Sequence, residues 1–98
     1  MDCDYSPKEL KFTECHYGEE ETSQNIILTN VGFAKLSYQV FCPEYVCINY
    51  LQNSGTIAGK GHALITVKFK PTTYLQNYKD HIKILIRGSH AIFIPLYI

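Results

Sequence analysis

Apolar residues recur at every second position along most of the chain. Leu10 and Phe12 flank Lys11. Ile26, Leu28 and Asn30 share one face of the next segment, which ends at Asn30-Val31-Gly32. Leu36, Tyr38 and Val40 alternate with Ser37, Gln39 and Phe41 and stop at Cys42-Pro43. Val46, Ile48 and Tyr50 alternate with Cys47, Asn49 and Leu51. Ile65, Val67 and Phe69 share a face and run into Pro71. Ile82, Ile84 and Ile86 stand opposite His81, Lys83, Leu85 and Arg87, and Ile92, Ile94 and Leu96 follow. Strict alternation bounded by Gly, Pro and Asn marks half-buried strands. Turns are expected at Ser6-Pro7, Asn53-Ser54-Gly55, Gly59-Lys60-Gly61 and Gly88-Ser89-His90. At the end of the second segment, Asn30 is expected to bond the backbone and Gly32 to supply a positive φ. Phe69 should fill the core, and Pro71, with no N–H to give, should end its strand.

No window sustains apolar residues at helical spacing, and only Thr73–Asn77 has room for one helical turn. Roughly seven short strands with regular turn punctuation predict an all-β, immunoglobulin-like antiparallel sandwich. The 98 residues suit a single domain spanning 1–98. Strand signals fill almost the whole length, so the expectation is one module of a longer protein.

Composition narrows the function. The chain is 46% hydrophobic and 18% charged, which suits a folded domain. Its formal net charge is +0, which argues against bulk binding to nucleic acid or anionic membrane. No apolar run is long enough for a membrane span. Cys3, Cys15, Cys42 and Cys47 lack zinc-ligand spacing and are read as reduced thiols. His16, His62, His81 and His90 have no second ligand at short spacing, and no phosphate-binding glycine motif is present. The tyrosines at 5, 17, 45, 74, 78 and 97 fall in loops or at strand ends, where they seal the sandwich or touch neighbours.

Charge is uneven along the chain. Residues 1–59 carry three basic and eight acidic side chains, or 3 − 8 = −5; residues 60–98 carry six basic against Asp80 alone, or 6 − 1 = +5. The six are Lys60, Lys68, Lys70, Lys79, Lys83 and Arg87. Lys68 and Lys70 share a strand face, as do Lys83 and Arg87. These four are the candidate basic face for an acidic partner. Aromatic interleaving is not evident around them, which weakens a nucleic-acid reading.

The signals also fall in a familiar order. Ser6-Pro7-x-x-Leu10-x-Phe12 opens the chain, Ile27-Leu28-Thr29-Asn30-Val31-Gly32 follows, and then Ser54-Gly55-Thr56-Ile57. Ile65-Thr66-Val67-Lys68-Phe69-Lys70-Pro71, Tyr78 and Ile94-Pro95-Leu96 complete it. This order resembles the PapD-like, major-sperm-protein superfamily, and within it the ASH domains of hydin and other ciliary and centrosomal proteins. Asn30, Gly32, Phe69 and Pro71 match its structural signature. The resemblance implies a PapD-like sandwich acting as a non-catalytic scaffold module, without cofactor, metal or small-molecule substrate. It implies a cytoplasmic site at the axoneme of a cilium or flagellum, or at a centrosome or basal body. Partners would be neighbouring domains and ciliary or microtubule-associated proteins, with no membrane insertion. Two other readings stay open: a sperm-protein-type receptor for acidic-aromatic peptides at the endoplasmic reticulum, and a secreted adhesion domain.

Overall fold

Alternating apolar positions on successive short segments are buried when two sheets turn those positions toward each other. The computed structural model has this arrangement. It describes residues 3–12, 22–43, 46–48, 53–69 and 79–97. Nine strands lie within them: β1 (Cys3–Ser6), β2 (Leu10–Lys11), β3 (Thr22–Asn30), β4 (Leu36–Phe41), β5 (Val46–Ile48), β6 (Ser54–Ile57), β7 (His62–Phe69), β8 (Lys79–Ile86) and β9 (Ala91–Tyr97). One sheet runs β1-β3-β7-β5 and the other β2-β9-β8-β4-β6.

The core has the expected residues. Leu28, Ile65, Val67 and Phe69 from the four-stranded sheet face Ile82, Ile84, Ile94 and Leu96 from the five-stranded sheet, and all are buried. Phe12 closes one end of this interior against Phe69, ring centroids 5.4 Å apart. Cys3 is buried and its thiol is pushed up in pKa, first by loss of water and then by the nearby Asp4 carboxylate. Cys42 is also a thiol, whereas the side chains of Cys15 and Cys47 lie outside the described residues. So do Pro71, Lys70, His16 and the Thr73–Asn77 segment.

Two strands exceed the seven expected. The first is β1, an edge strand paired with β3, from Cys3 opposite Asn30 to Ser6 opposite Ile27. Pro7 then lets the chain leave that sheet, and Leu10–Lys11 joins the other by parallel pairing with Leu96–Tyr97. The sandwich is therefore antiparallel except at this edge. The second is β6, where Asn53-Ser54-Gly55 was expected to turn. Instead Ser54 and Gly55 pair with Gln39 and Tyr38. Gly55 serves a close approach: a Cβ there would sit 3.0 Å from the Tyr38 hydroxyl.

Among the described residues Asn30 is the buried polar residue of the core. Its Nδ2 donates to the carbonyls of Ala34 (2.8 Å), Ile57 (3.1 Å) and Ala58 (3.2 Å), while Oδ1 accepts from Gly32 N (3.0 Å). A side chain that satisfies backbone groups of two separate loops is stable without water. The expectation of a positive φ at Gly32 is corrected. Among the described residues positive φ occurs at Lys60 (65°) and Gly88 (77°). The Asn30 side chain already closes the turn by accepting from Gly32 N, so Gly32 has no need of the left-handed region.

Candidate functional site

The inward isoleucines of β8 leave its odd-numbered residues pointing outward. Lys79, His81, Lys83 and Leu85 follow one another along the outer face, and Arg87 comes just beyond the strand end. Register brings outward residues of the flanking strands alongside. Lys83 is opposite Phe41 of β4 and Phe93 of β9; Leu85 is opposite Gln39 and Ala91; His81 is opposite Pro95.

A row Phe41–Lys83–Phe93 thus crosses three strands. Both rings are solvent-exposed, Phe41 at 44% and Phe93 at 53%. The Lys83 ammonium lies 5.5 Å from the Phe41 centroid, and Lys79 lies 5.5 Å from that of Tyr97. His81 meets Phe93 edge to face at 5.2 Å, with its Nδ1 3.7 Å from the Asp80 carboxylate. Cations held over ring faces keep both the charge and the apolar area available. Next to this row, an open groove of about 450 Å³ runs between β4, β6 and β8, lined among others by Ser37, Gln39, Ser54, Thr56, Leu85 and Arg87. Among the described residues neither Lys83 nor Arg87 has an ion pair.

The expected four-residue basic face divides. Lys68 lies on β7 opposite Ser23 of β3, with Val67 and Phe69 on either side turned inward. It therefore points out of the four-stranded sheet, away from Lys83 and Arg87. No flat partner surface can cover both sides of a sandwich, so Lys83 and Arg87 form a patch without Lys68. Lys70 lies outside the described residues. The aromatic interleaving that the linear sequence hides is present, because Phe41 and Phe93 come from strands far apart in the chain. Their signal was available: each is a large apolar residue at an outward position where alternation calls for a polar one.

Two further histidines bond neighbouring hydroxyls. His62 begins β7 and shares a 3.2 Å hydrogen bond with Thr29, and His90 bonds Ser89 Oγ at 2.7 Å. Among the described residues no cluster of three His, Cys, Asp or Glu could hold a metal.

The fold has known relatives. A Caenorhabditis elegans sperm-protein family member, WR4, superposes with a TM-score of 0.72 at 14% identity, over 98% of this chain and 96% of that one. The human CEP192 ASH/PapD-like domain 7 superposes with a TM-score of 0.70 at 12% identity, over 97% of this chain and 82% of that one. The YadV chaperone gives 0.67 at 16%, covering 99% of this chain and 51% of that one. These likenesses establish the PapD-like, sperm-protein-type immunoglobulin fold. A comparison with curated protein sequences finds no match. Residues 2–97 match the model of the HYDIN/CFA65/VesB-like, Ig-like domain, and the chain belongs to that family.

Proposed function

We propose that this domain is a non-catalytic protein-interaction module of a ciliary or centrosomal protein, one unit of a longer chain. It takes its protein partner on the outer face of the five-stranded sheet. The observation that carries this reading is the Phe41–Lys83–Phe93 row with Leu85 and Arg87 beside it. Exposed rings and aliphatic area supply the desolvation that anchors an interface. The cations flanking them select an acidic partner and speed its approach. Family membership supports the cellular setting, the cytoplasmic axoneme or basal body, and neighbouring domains or microtubule-associated proteins as partners.

A peptide receptor of the sperm-protein type is the second reading. The open groove beside Arg87 favours it, since it sets a cation next to polar side chains along a cleft of about 450 Å³.

The test is affinity capture from a ciliated-cell extract. Wild type and Lys68→Glu should retain the same partners, while Lys83→Glu/Arg87→Glu should lose them. Retention of every partner by the double variant, insensitive to salt, would reduce the patch to a solvated face. Recovery of centriolar and axonemal proteins supports the first reading, and recovery of endoplasmic-reticulum proteins alone supports the second.

A further inference from the structure

The loops at one end of the sandwich form a surface separate from the Phe41–Lys83–Phe93 row. Residues 31–35 join β3 to β4, and residues 58–61 join β6 to β7. The two loops are tied together. Lys60 N donates to the Gly32 carbonyl at 3.0 Å, and Lys60 Nζ donates to the Val31 carbonyl. The same ammonium lies 4.4 Å from the centroid of Phe33. Gly59 passes so close to Phe33 that a Cβ there would sit 2.0 Å from its carbonyl oxygen. Asn30 bonds backbone groups of both loops from inside. Lys60 holds a φ of 65°, a conformation that disfavours a residue with a Cβ.

This bracing holds Phe33 out into solvent. Phe33 is 88% exposed and its neighbour Val31 is 44% exposed. Alanines 34 and 58 are exposed beside them, as are Lys35 and Lys60. The loops read Val-Gly-Phe-Ala-Lys and Ala-Gly-Lys-Gly, so neither contains a side-chain oxygen. On the adjacent edge strand Asp4 is neutralised by Lys8, whose Nζ is 3.1 Å away.

We propose that this tip docks onto an anionic lipid surface, with Phe33 and Val31 entering the interfacial layer and Lys35 and Lys60 meeting lipid phosphates. An aromatic and aliphatic cap ringed by lysines is the chemistry of interfacial segments. A protein pocket that received Phe33 would normally add directed hydrogen bonds in both senses. The side chains of the two loops offer ammonium donors and no acceptor, which suits phosphate oxygens that accept from any direction. The zero net charge does not oppose this docking. The field of an anionic surface decays within about 8–10 Å at physiological salt, so the tip feels it and the rest of the domain largely does not. Because the loops are already ordered, docking costs little conformational entropy. No helix among the described residues is long and apolar enough to cross a membrane, and the proposed contact is a surface one.

The experiment is vesicle flotation of the 98-residue chain, with phosphatidylcholine vesicles with and without about 30% phosphatidylserine. The chain should float with the anionic vesicles and not with the neutral ones, and added salt should release it. Phe33→Ser should lower the partition about tenfold or more, and Lys35→Glu should lower it several-fold. Both sites are exposed, so melting temperatures should be unchanged. Phe93→Ser, an exposed aromatic on the outer sheet face, should leave flotation unaltered. Equal behaviour on both vesicle types, or an equal loss with Phe93→Ser, would overturn the proposal. So would a chain that ignores vesicles yet loses a protein partner on Phe33→Ser, which would assign the tip to protein.

Discussion

The two outer faces of the sandwich are built by the same alternation and end up chemically opposite. On the four-stranded side, outward groups largely satisfy one another across β3 and β7. Thr29 bonds His62, Thr66 bonds Asn25, and Lys68 stands opposite Ser23. One apolar pair, Ile27 and Leu64, is exposed between them. On the five-stranded side, Phe41, Lys83 and Phe93 form a row whose cation has no anionic partner among the described residues. The first face pairs most of its polar groups within itself, whereas among the described residues the second sets an unpaired cation between two exposed rings. Cross-strand neighbours, rather than the composition of any one strand, create that difference.

Both faces back onto one interior. Replacing Ile84 or Val67, buried on opposite sheets, should therefore destabilise the whole domain. Ile84→Ala should cost about 2–5 kcal/mol and Val67→Ala somewhat less. Lys68→Glu and Phe93→Ser, on the outer surfaces, should stay within about 0.5 kcal/mol. Urea unfolding of the four variants checks this, and an Ile84→Ala midpoint equal to wild type would break the inward–outward assignment.

Next in size is Asn30. Asn30→Ala removes four hydrogen bonds, among them the one to the buried Ile57 carbonyl, while Ala58 O keeps its bond from Gly61 N, at a cost of about 2–3 kcal/mol. Asn30→Asp turns an acceptor toward three carbonyls and should be at least as harmful. A melting temperature that survives both substitutions would show that the loops hold together without this side chain.

The smallest effect concerns Asp4, on the edge of the four-stranded face. Hydrogen bonds from the Lys8 side chain, and then from Tyr5 N, hold its carboxyl below the usual carboxylate range. A lowered folded pKa means that its contribution is present above the unfolded pKa of about 3.9 and fades as pH falls through the folded value. Asp4 is fully exposed, so the contribution is small. Asp4→Asn should slightly flatten the loss of stability between about pH 5 and pH 3, measured by thermal melts. A steeper loss in the variant would contradict the sign.

Much of this was legible in the sequence. The isoleucine stripe at 82, 84 and 86 faces inward as its period implied, and Leu28, Val67 and Ile94 are buried with it. Asn30 bonds the backbone at its turn. The misses have physical causes. Ser54-Gly55 has turn composition but lies in an edge strand paired with Gln39 and Tyr38, where the bare Gly55 leaves room for the Tyr38 ring. Gly32 takes no positive φ, because the Asn30 side chain closes its turn by accepting from Gly32 N, a bond that glycine composition alone does not reveal. The basic face was divided because alternation tells which residues share a side of their own strand, but not which sheet the strand joins. Lys68 and Lys83 each point outward, from opposite sheets.

A partner is expected to cover the five-stranded face and leave the four-stranded one bare. Lysine acetylation footprinting tests it within one molecule, because Lys83 and Lys68 report the two faces with the same chemistry. Acetylation rates would be compared for the domain alone and for its captured complex. Lys83 should be strongly protected in the complex while Lys68 reacts at its unbound rate. Protection of Lys68 with Lys83 still reactive would contradict it.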